Sequence, residues 1–530
     1  MSIADVTNQF RTCPTTGLHV HLPAQRLIWI NAVSAVVFLL VGGVMAILIA
    51  LTRWPAVHLL PQDLFYRFIT AHGINMLVFW IVFFEMAGII FAAQTILGSR
   101  YPGIKFGWFN YILMISGAIM VEVVVFMGKA DVMFTAYPPL KANPVFYLGI
   151  ILFAVGALFN CFQFIYALII AKREGWHKGS LPLFTYGILT AVIIAIFTLV
   201  SGAAAFIPAF LWSIGVIPHI DPEYYRIAFW GFGHSAQQIN LAAMVAIWYM
   251  LANLTTGAQP VNQRMCRWAF VLYLLGINLG SIHHNLVDPG LSATYRIFNT
   301  SYLFYAATIG SMIHAFSIPA AVETAQRAKG FTRGLFQWLT NAPWGQPGFS
   351  GLVLSMVIFG FFGGVTGIIL SVEQLNMLSH NNLRVPGHFH MTVVGGTSLA
   401  FMALTYYVIP LVLQRKLIGA KWAKYQPYIF AIGVMMFSTG MHFAGVMGAP
   451  RRHWDVTFQN AVIQVPFDPA MYTFLGLVGV GAVVAFTGLL IFIGIAVLSV
   501  FFGEKIPSKM EPHSPPHEVL PAAAIAKGTV

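Results

Sequence analysis

The feature that most constrains this chain is the recurrence of apolar runs long enough to cross a bilayer. A membrane-spanning helix needs roughly 20 mostly apolar residues, and the 530-residue sequence supplies twelve such runs, the first near 27–52 and the last near 470–502. Hydrophobic residues make up 58% of the chain and charged residues 8%, against roughly a quarter charged in a soluble domain. A soluble helical protein has nowhere to bury so much apolar sequence. The expected fold is all-α: a polytopic membrane protein of about twelve transmembrane helices. The loops are short and no repeat is visible, so one bundle is expected over 27–502, after a cytoplasmic N-terminal segment, 1–26. From 503 to 530 the chain turns Pro-, His- and Ala-rich (PHSPPHEVLPAAA) and is expected to be a disordered cytoplasmic tail.

The formal charge of +12 raises the question of nucleic acid. Its placement answers it. Most Lys and Arg fall in the loops that share a side with the two ends, including Lys172, Arg173 and Lys178, and Arg415, Lys416, Lys421 and Lys424. That is the positive-inside bias. It places both termini in the cytoplasm and makes the bilayer, not nucleic acid, the partner of the charge. The segment up to Arg26 is polar and is no secretory signal. Cys13, Cys161 and Cys266 stand far apart and no C-x-x-C-H occurs, so no heme attaches covalently through this sequence.

Ionisable side chains inside a membrane are costly and are read first as functional. His72 opens the second run, His234 lies early in the sixth, His283 and His284 close the seventh, and His388 and His390 open the tenth. With the helices alternating in direction, all of them fall in the outer half of the bilayer. Residues two apart on a helix differ by about 200°, so His388 and His390 face opposite ways and one helix can serve two metals. His72 can complete a six-coordinate heme with one of them, and the other can hold a second heme from one side. His234, His283 and His284 remain as three imidazoles for a non-heme metal with an open position. A heme iron facing such a metal makes a pocket for a diatomic gas.

These residues sit in AHGINM, YPPLK at 137–141, GH of the sixth run, HH followed by DPG, VPGHFH and PRR. The set resembles the catalytic subunit of the heme–copper oxidase superfamily over nearly the whole chain, with spacing similar to its B-type branch. The resemblance implies that His72 and His390 ligate a low-spin heme that relays electrons, His388 a high-spin heme, and His234, His283 and His284 the non-heme metal. Heme type is not marked in the sequence; b-type is favoured. It also implies a prokaryotic cytoplasmic membrane, and electrons delivered by a second subunit (dinuclear copper or cytochrome c) or by quinol.

At one position the chain departs from an oxidase. Oxidases of this superfamily carry a tyrosine four residues after the first non-heme-metal histidine, bonded to it and donating an electron and a proton. Here that position is Gln238, one turn on and on the same face. An amide exchanges hydrogen bonds only, so Gln238 is expected to bond a bound intermediate or a water that delivers protons. Tyr302 or Tyr305 from another helix would be the substitutes to look for. Reductive coupling of two nitric oxide molecules to nitrous oxide and water needs two electrons, and no phenol. The sequence thus resembles the nitric oxide reductases that lack this tyrosine. A terminal oxidase reducing dioxygen is the alternative, and a heme-binding electron carrier or gas sensor the alternative of another class. Reductases of another branch use iron with an added glutamate; no glutamate lies close to His234 on this helix, which favours copper.

Arg451 and Arg452 resemble the pair that binds heme propionates, since guanidinium suits carboxylate. His380 and Asp288 fall where relatives place residues near the high-spin propionates. Glu85 and Glu122, well inside runs, are candidate proton relays, and Asn240, Ser311 and His314 could line a route from the cytoplasm.

Overall fold

The computed structural model describes residues 8–276, 280–458, 462–463, 466–507 and 513. An antiparallel pair of short strands, β1 (Phe10–Thr12) and β2 (His19–His21), leads directly into α1 (Leu22–Arg53). Pro23 stands in the first turn of α1, where its missing N–H is no loss. The helix thus begins at Leu22 and takes in Gln25 and Arg26, which the expected boundary at 26 left outside.

Ten further helices are long and apolar enough to cross a membrane. They are α2 (Gln62–Gln94), α3 (Ile104–Phe126), α4 (Pro144–Arg173), α5 (Leu183–Ser213), α6 (Pro222–Thr256), α8 (Ala293–Ala328), α9 (Pro347–Ser371), α10 (Arg384–Leu413), α11 (Ala420–Val446) and α12 (Pro469–Phe502). The seventh run differs from expectation. It is helical as α7 (Gln263–Gly276), residues 277–279 lie outside the described residues, and Ile282–His284 form a single 3-10 turn. Small and polar residues explain the break: Gly280, Ser281 and Asn285 surround the two histidines, and the Ser281 carbonyl closes the turn by accepting from His284 N–H.

Neighbours in sequence pack as pairs, α3 with α4, α5 with α6 and α11 with α12. Small residues allow the approach. A Cβ on Gly117 of α3 would strike the carbonyl oxygen of Gly149 on α4, so the two backbones touch where only glycine fits.

The two ends of the described chain meet on one face of the bundle. Arg11 of β1 is buried and donates to the carbonyls of Leu411 and Val412 at the end of α10. After α12, Lys505 pairs with Arg415, Ile506 N–H donates to Gln414, and Lys416 N–H donates to Glu504. His513 stacks on His19 at 3.6 Å between ring centroids and bonds the Gly98 carbonyl at 2.8 Å. The expectation of disorder from 503 therefore fails for residues 504–506, which pair by backbone with the α10–α11 loop, and for 513, whose side chain is held by His19 and the Gly98 carbonyl; 508–512 and 514–530 lie outside the described residues. The Pro450–Arg452 loop is on the opposite face, where Arg53 at the far end of α1 donates to the Pro450 carbonyl at 3.1 Å.

Candidate metal centre

Two adjoining cavities open inside the bundle, of about 870 Å3 and about 270 Å3. His388 lines the larger and His390 the smaller, so the two histidines of α10 do face opposite ways. Phe389 lines both, as do Arg451 and Arg452.

In the smaller cavity His72 and His390 present parallel rings, 4° apart in plane and 6.2 Å between centroids. Each Nδ1–H is taken by a backbone carbonyl: His72 donates to Gly42 at 3.0 Å and His390 to Pro386 at 2.7 Å. Both Nε2 lone pairs are thereby left free. Two imidazoles so fixed would hold one heme between them, offering its iron their Nε2 atoms.

In the larger cavity His388 is fixed by the same logic. Its Nδ1 lies 3.0 Å from Thr366 Oγ1. That hydroxyl spends its proton on the Phe362 and Gly363 carbonyls, so it accepts from Nδ1–H and leaves Nε2 for a metal. α9 lines the cavity with Gly360, Gly364 and Gly367; a Cβ at Gly367 would press on the His388 ring, 2.9 Å from Cε1, whereas one at Gly360 would meet nothing within 4 Å. A flat group has room there.

His234, His283 and His284 come together in this cavity, one ligand atom from each within 4.8 Å of the others. Nδ1 of His234 lies 3.2 Å from Nε2 of His284, close to the edge of a tetrahedron with bonds of about 2 Å. His283 donates its Nδ1–H to Gly280 at 3.0 Å. Trp230 stacks on His284 with centroids 3.8 Å apart and planes 4° apart. No carboxylate or thiol joins the cluster among the described residues; an all-imidazole set suits copper, zinc or iron. The carboxamide of Gln238 lies 3.0 Å from Nε2 of His234.

Arg451 and Arg452 are held at the mouths of both cavities. Arg451 N–H donates to Asn381 at 2.6 Å, and Arg452, at a positive φ of 62°, donates through Nη1 to Thr135 Oγ1 at 3.1 Å. Neither is ion-paired with a carboxylate among the described residues. Burial and the Arg452 guanidinium pull Arg451 down to about 9. Adjacent unpaired cations at a cavity mouth fit the carboxylates of a heme edge.

Other residues fall less centrally. His380 lines the larger cavity. Asp288 accepts from Arg226 at 2.8 Å and from Asn285 at 2.6 Å, beneath the same loops. Glu85 and Glu122 line neither cavity: Glu85 faces a separate void of about 60 Å3, and Glu122 accepts from Asn75 at 2.7 Å. Ser311 lines the larger cavity and bonds Tyr273 at 3.0 Å, His314 bonds Tyr249 at 2.9 Å, and Asn240 is buried away from it. Tyr302 and Tyr305 are 68% and 46% exposed on the outside of α8, which removes them as substitutes for the missing phenol. Arg226, Trp230, Tyr273 and Thr366 were not singled out in the sequence. A cation in the early turns of an apolar run was a readable signal for Arg226; a threonine or tryptophan in such a run carries none.

Fold and site define the class: a polytopic all-α membrane protein whose interior histidines converge on two cavities suited to heme and one cluster suited to a metal. The chain belongs to the cytochrome c and quinol oxidase polypeptide I family, whose model matches residues 26–498. It is a membrane heme oxidoreductase chain of the heme–copper oxidase type. It is similar to cytochrome c oxidase subunit 1 of Thermus thermophilus, 28% identical over 408 residues, covering 75% of this chain and 70% of that one. Quinol oxidase subunit 1 of Bacillus subtilis is 24% identical over 449 residues, 79% of this chain and 64% of the other. A heme–copper terminal oxidase dimer solved by cryo-EM superposes with a TM-score of 0.86 at 25% identity, covering 95% of this chain and 88% of that one.

Proposed function

We propose that this chain is the catalytic subunit of a nitric oxide reductase related to the B-type branch, reducing two nitric oxide molecules to nitrous oxide and water. The observation that carries the reading is Gln238 against His234, 3.0 Å from its ring, where an oxidase carries a phenol. The tyrosines that line the cavity are engaged elsewhere. Tyr137 lies beneath the guanidiniums of Arg226 and Arg452, and the Tyr273 hydroxyl is bonded to Ser311. Among the described residues no tyrosine hydroxyl bonds a histidine of the cluster.

His72 and His390 would hold the low-spin heme, His388 the high-spin heme, and His234, His283 and His284 a copper ion, the all-imidazole cluster favouring copper over iron. Hemes and metal, when bound, supply the electrons, delivered by a partner subunit or by quinol. The chain's own residues fix the imidazoles, neutralise propionates through Arg451 and Arg452, and keep the gas pocket apolar through Val393, Gly360 and Gly364. Protons reach the pocket from the cytoplasmic side past His314–Tyr249 and Ser311–Tyr273, the last two lining the cavity itself.

Dioxygen reduction is the second reading. It is favoured by the relatives named as oxidases and by Tyr273, a phenol in the same cavity. Anaerobic turnover of the purified complex with nitric oxide, beside turnover with dioxygen, separates the two. Metal analysis tests the third reading: a di-heme carrier would contain two irons and no second metal.

A further inference from the structure

Five of the six site histidines turn the same way or are held by stacking. His72, His283, His388 and His390 each give Nδ1–H to a fixed acceptor and keep Nε2 for a metal, and His284 is clamped on Trp230 with Nε2 toward His234. His234 alone is reversed. Its Nδ1 faces His284 at 3.2 Å, and its Nε2 faces outward to the carboxamide of Gln238 at 3.0 Å. If Nδ1 is to offer a lone pair to a metal, a neutral imidazole must carry its proton on Nε2, and that proton needs an acceptor. A half-turn of the amide exchanges its oxygen and nitrogen, and the buried Oε1 of Gln238 has no other partner.

We propose that Gln238 is a positioning residue for the three-histidine centre: its carboxamide oxygen accepts the Nε2–H of His234 and holds Nδ1 toward His283 and His284. Gln238 does for His234 what the Gly42, Pro386 and Gly280 carbonyls do for the others. Lying one turn beyond His234 on α6, it moves with the ring it orients. This inference rests on the metal-centre assignment above and not on which gas is reduced.

The test is metal retention in the whole complex. Gln238→Leu and Gln238→Glu are purified, dialysed against a chelator, and analysed for the non-heme metal at constant low-spin heme absorbance. Removal of an outer acceptor weakens metal binding typically 10–100-fold. Gln238→Leu is therefore expected to lose the metal at chelator concentrations wild type withstands, with the low-spin spectrum unchanged. Gln238→Glu, still an acceptor, is expected to match or exceed wild type. A leucine variant as chelator-resistant as wild type overturns the proposal, and one that holds its metal yet turns over slowly assigns Gln238 to the substrate instead. Should the leucine variant not assemble, Gln238→Glu decides: loss of the metal there overturns the proposal. No gas is present in the metal-retention measurement, so a wild-type complex found to reduce dioxygen would reject the functional reading and leave this result standing.

Discussion

Arg451 and Arg452 stand side by side where the two cavities open, with no carboxylate paired to either among the described residues. Two adjacent guanidiniums are unfavourable until anions reach them. Arg451→Leu should weaken heme retention by roughly 1.5–3 kcal/mol, the worth of a charged hydrogen bond. Heme content after detergent dialysis measures it, and a variant that keeps both hemes as firmly as wild type would contradict the role. At this scale the sequence was informative because the costly residues were few. Ionisable groups at one depth announced His72, His234, His283, His284, His388 and His390 together. The residues that orient them were silent. Thr366 and Trp230 are ordinary in an apolar helix, and the acceptors of Gly42, Pro386 and Gly280 are backbone atoms that no side chain advertises.

Within the elements, α10 shows how far periodicity carries. Two residues of separation gave His388 and His390 their opposite faces, and each now lines its own cavity. The same helix turns from α to π geometry at His390, running as a π-helix over His390–Ser398. A second π segment, Asn75–Phe79, follows His72 on α2. Such wide turns recur at functional sites, yet they leave no period in the hydrophobic pattern and could not be read beforehand. The 3-10 turn that carries His283 and His284 was hidden for a related reason: the apolar run continues through it in composition while its glycines end the helix. A one-helix, two-sided arrangement makes a separable prediction. His72→Ala should abolish the low-spin heme signal, whereas His388→Ala should disturb the high-spin heme and spare the His72–His390 pair. An intact low-spin spectrum in His72→Ala would reject the assignment.

For the whole molecule, the bundle was legible from apolar length, while loop charge supplies an expectation of its sidedness. The attachment of the segment after α12 was not, because 504–506 are held by backbone pairing to 414–416 and composition alone reads as tail. Single cysteines introduced at Lys505 and at His453 should label from opposite sides of sealed vesicles, Lys505 from the cytoplasmic side. Labelling of both from one side would reject the topology.

On the proposed function, the gas is chosen by one position inside that frame, Gln238. With an amide instead of a phenol beside His234, two-electron coupling of nitric oxide has all it requires, while four-electron cleavage of dioxygen lacks its usual fourth electron. The deciding measurement is anaerobic turnover of the purified wild-type complex with nitric oxide, scored by nitrous oxide formed, set against dioxygen consumption under the same electron donor. Nitrous oxide at one per two nitric oxide molecules, with slow dioxygen uptake, is the predicted result. Rapid dioxygen reduction without nitrous oxide would contradict it.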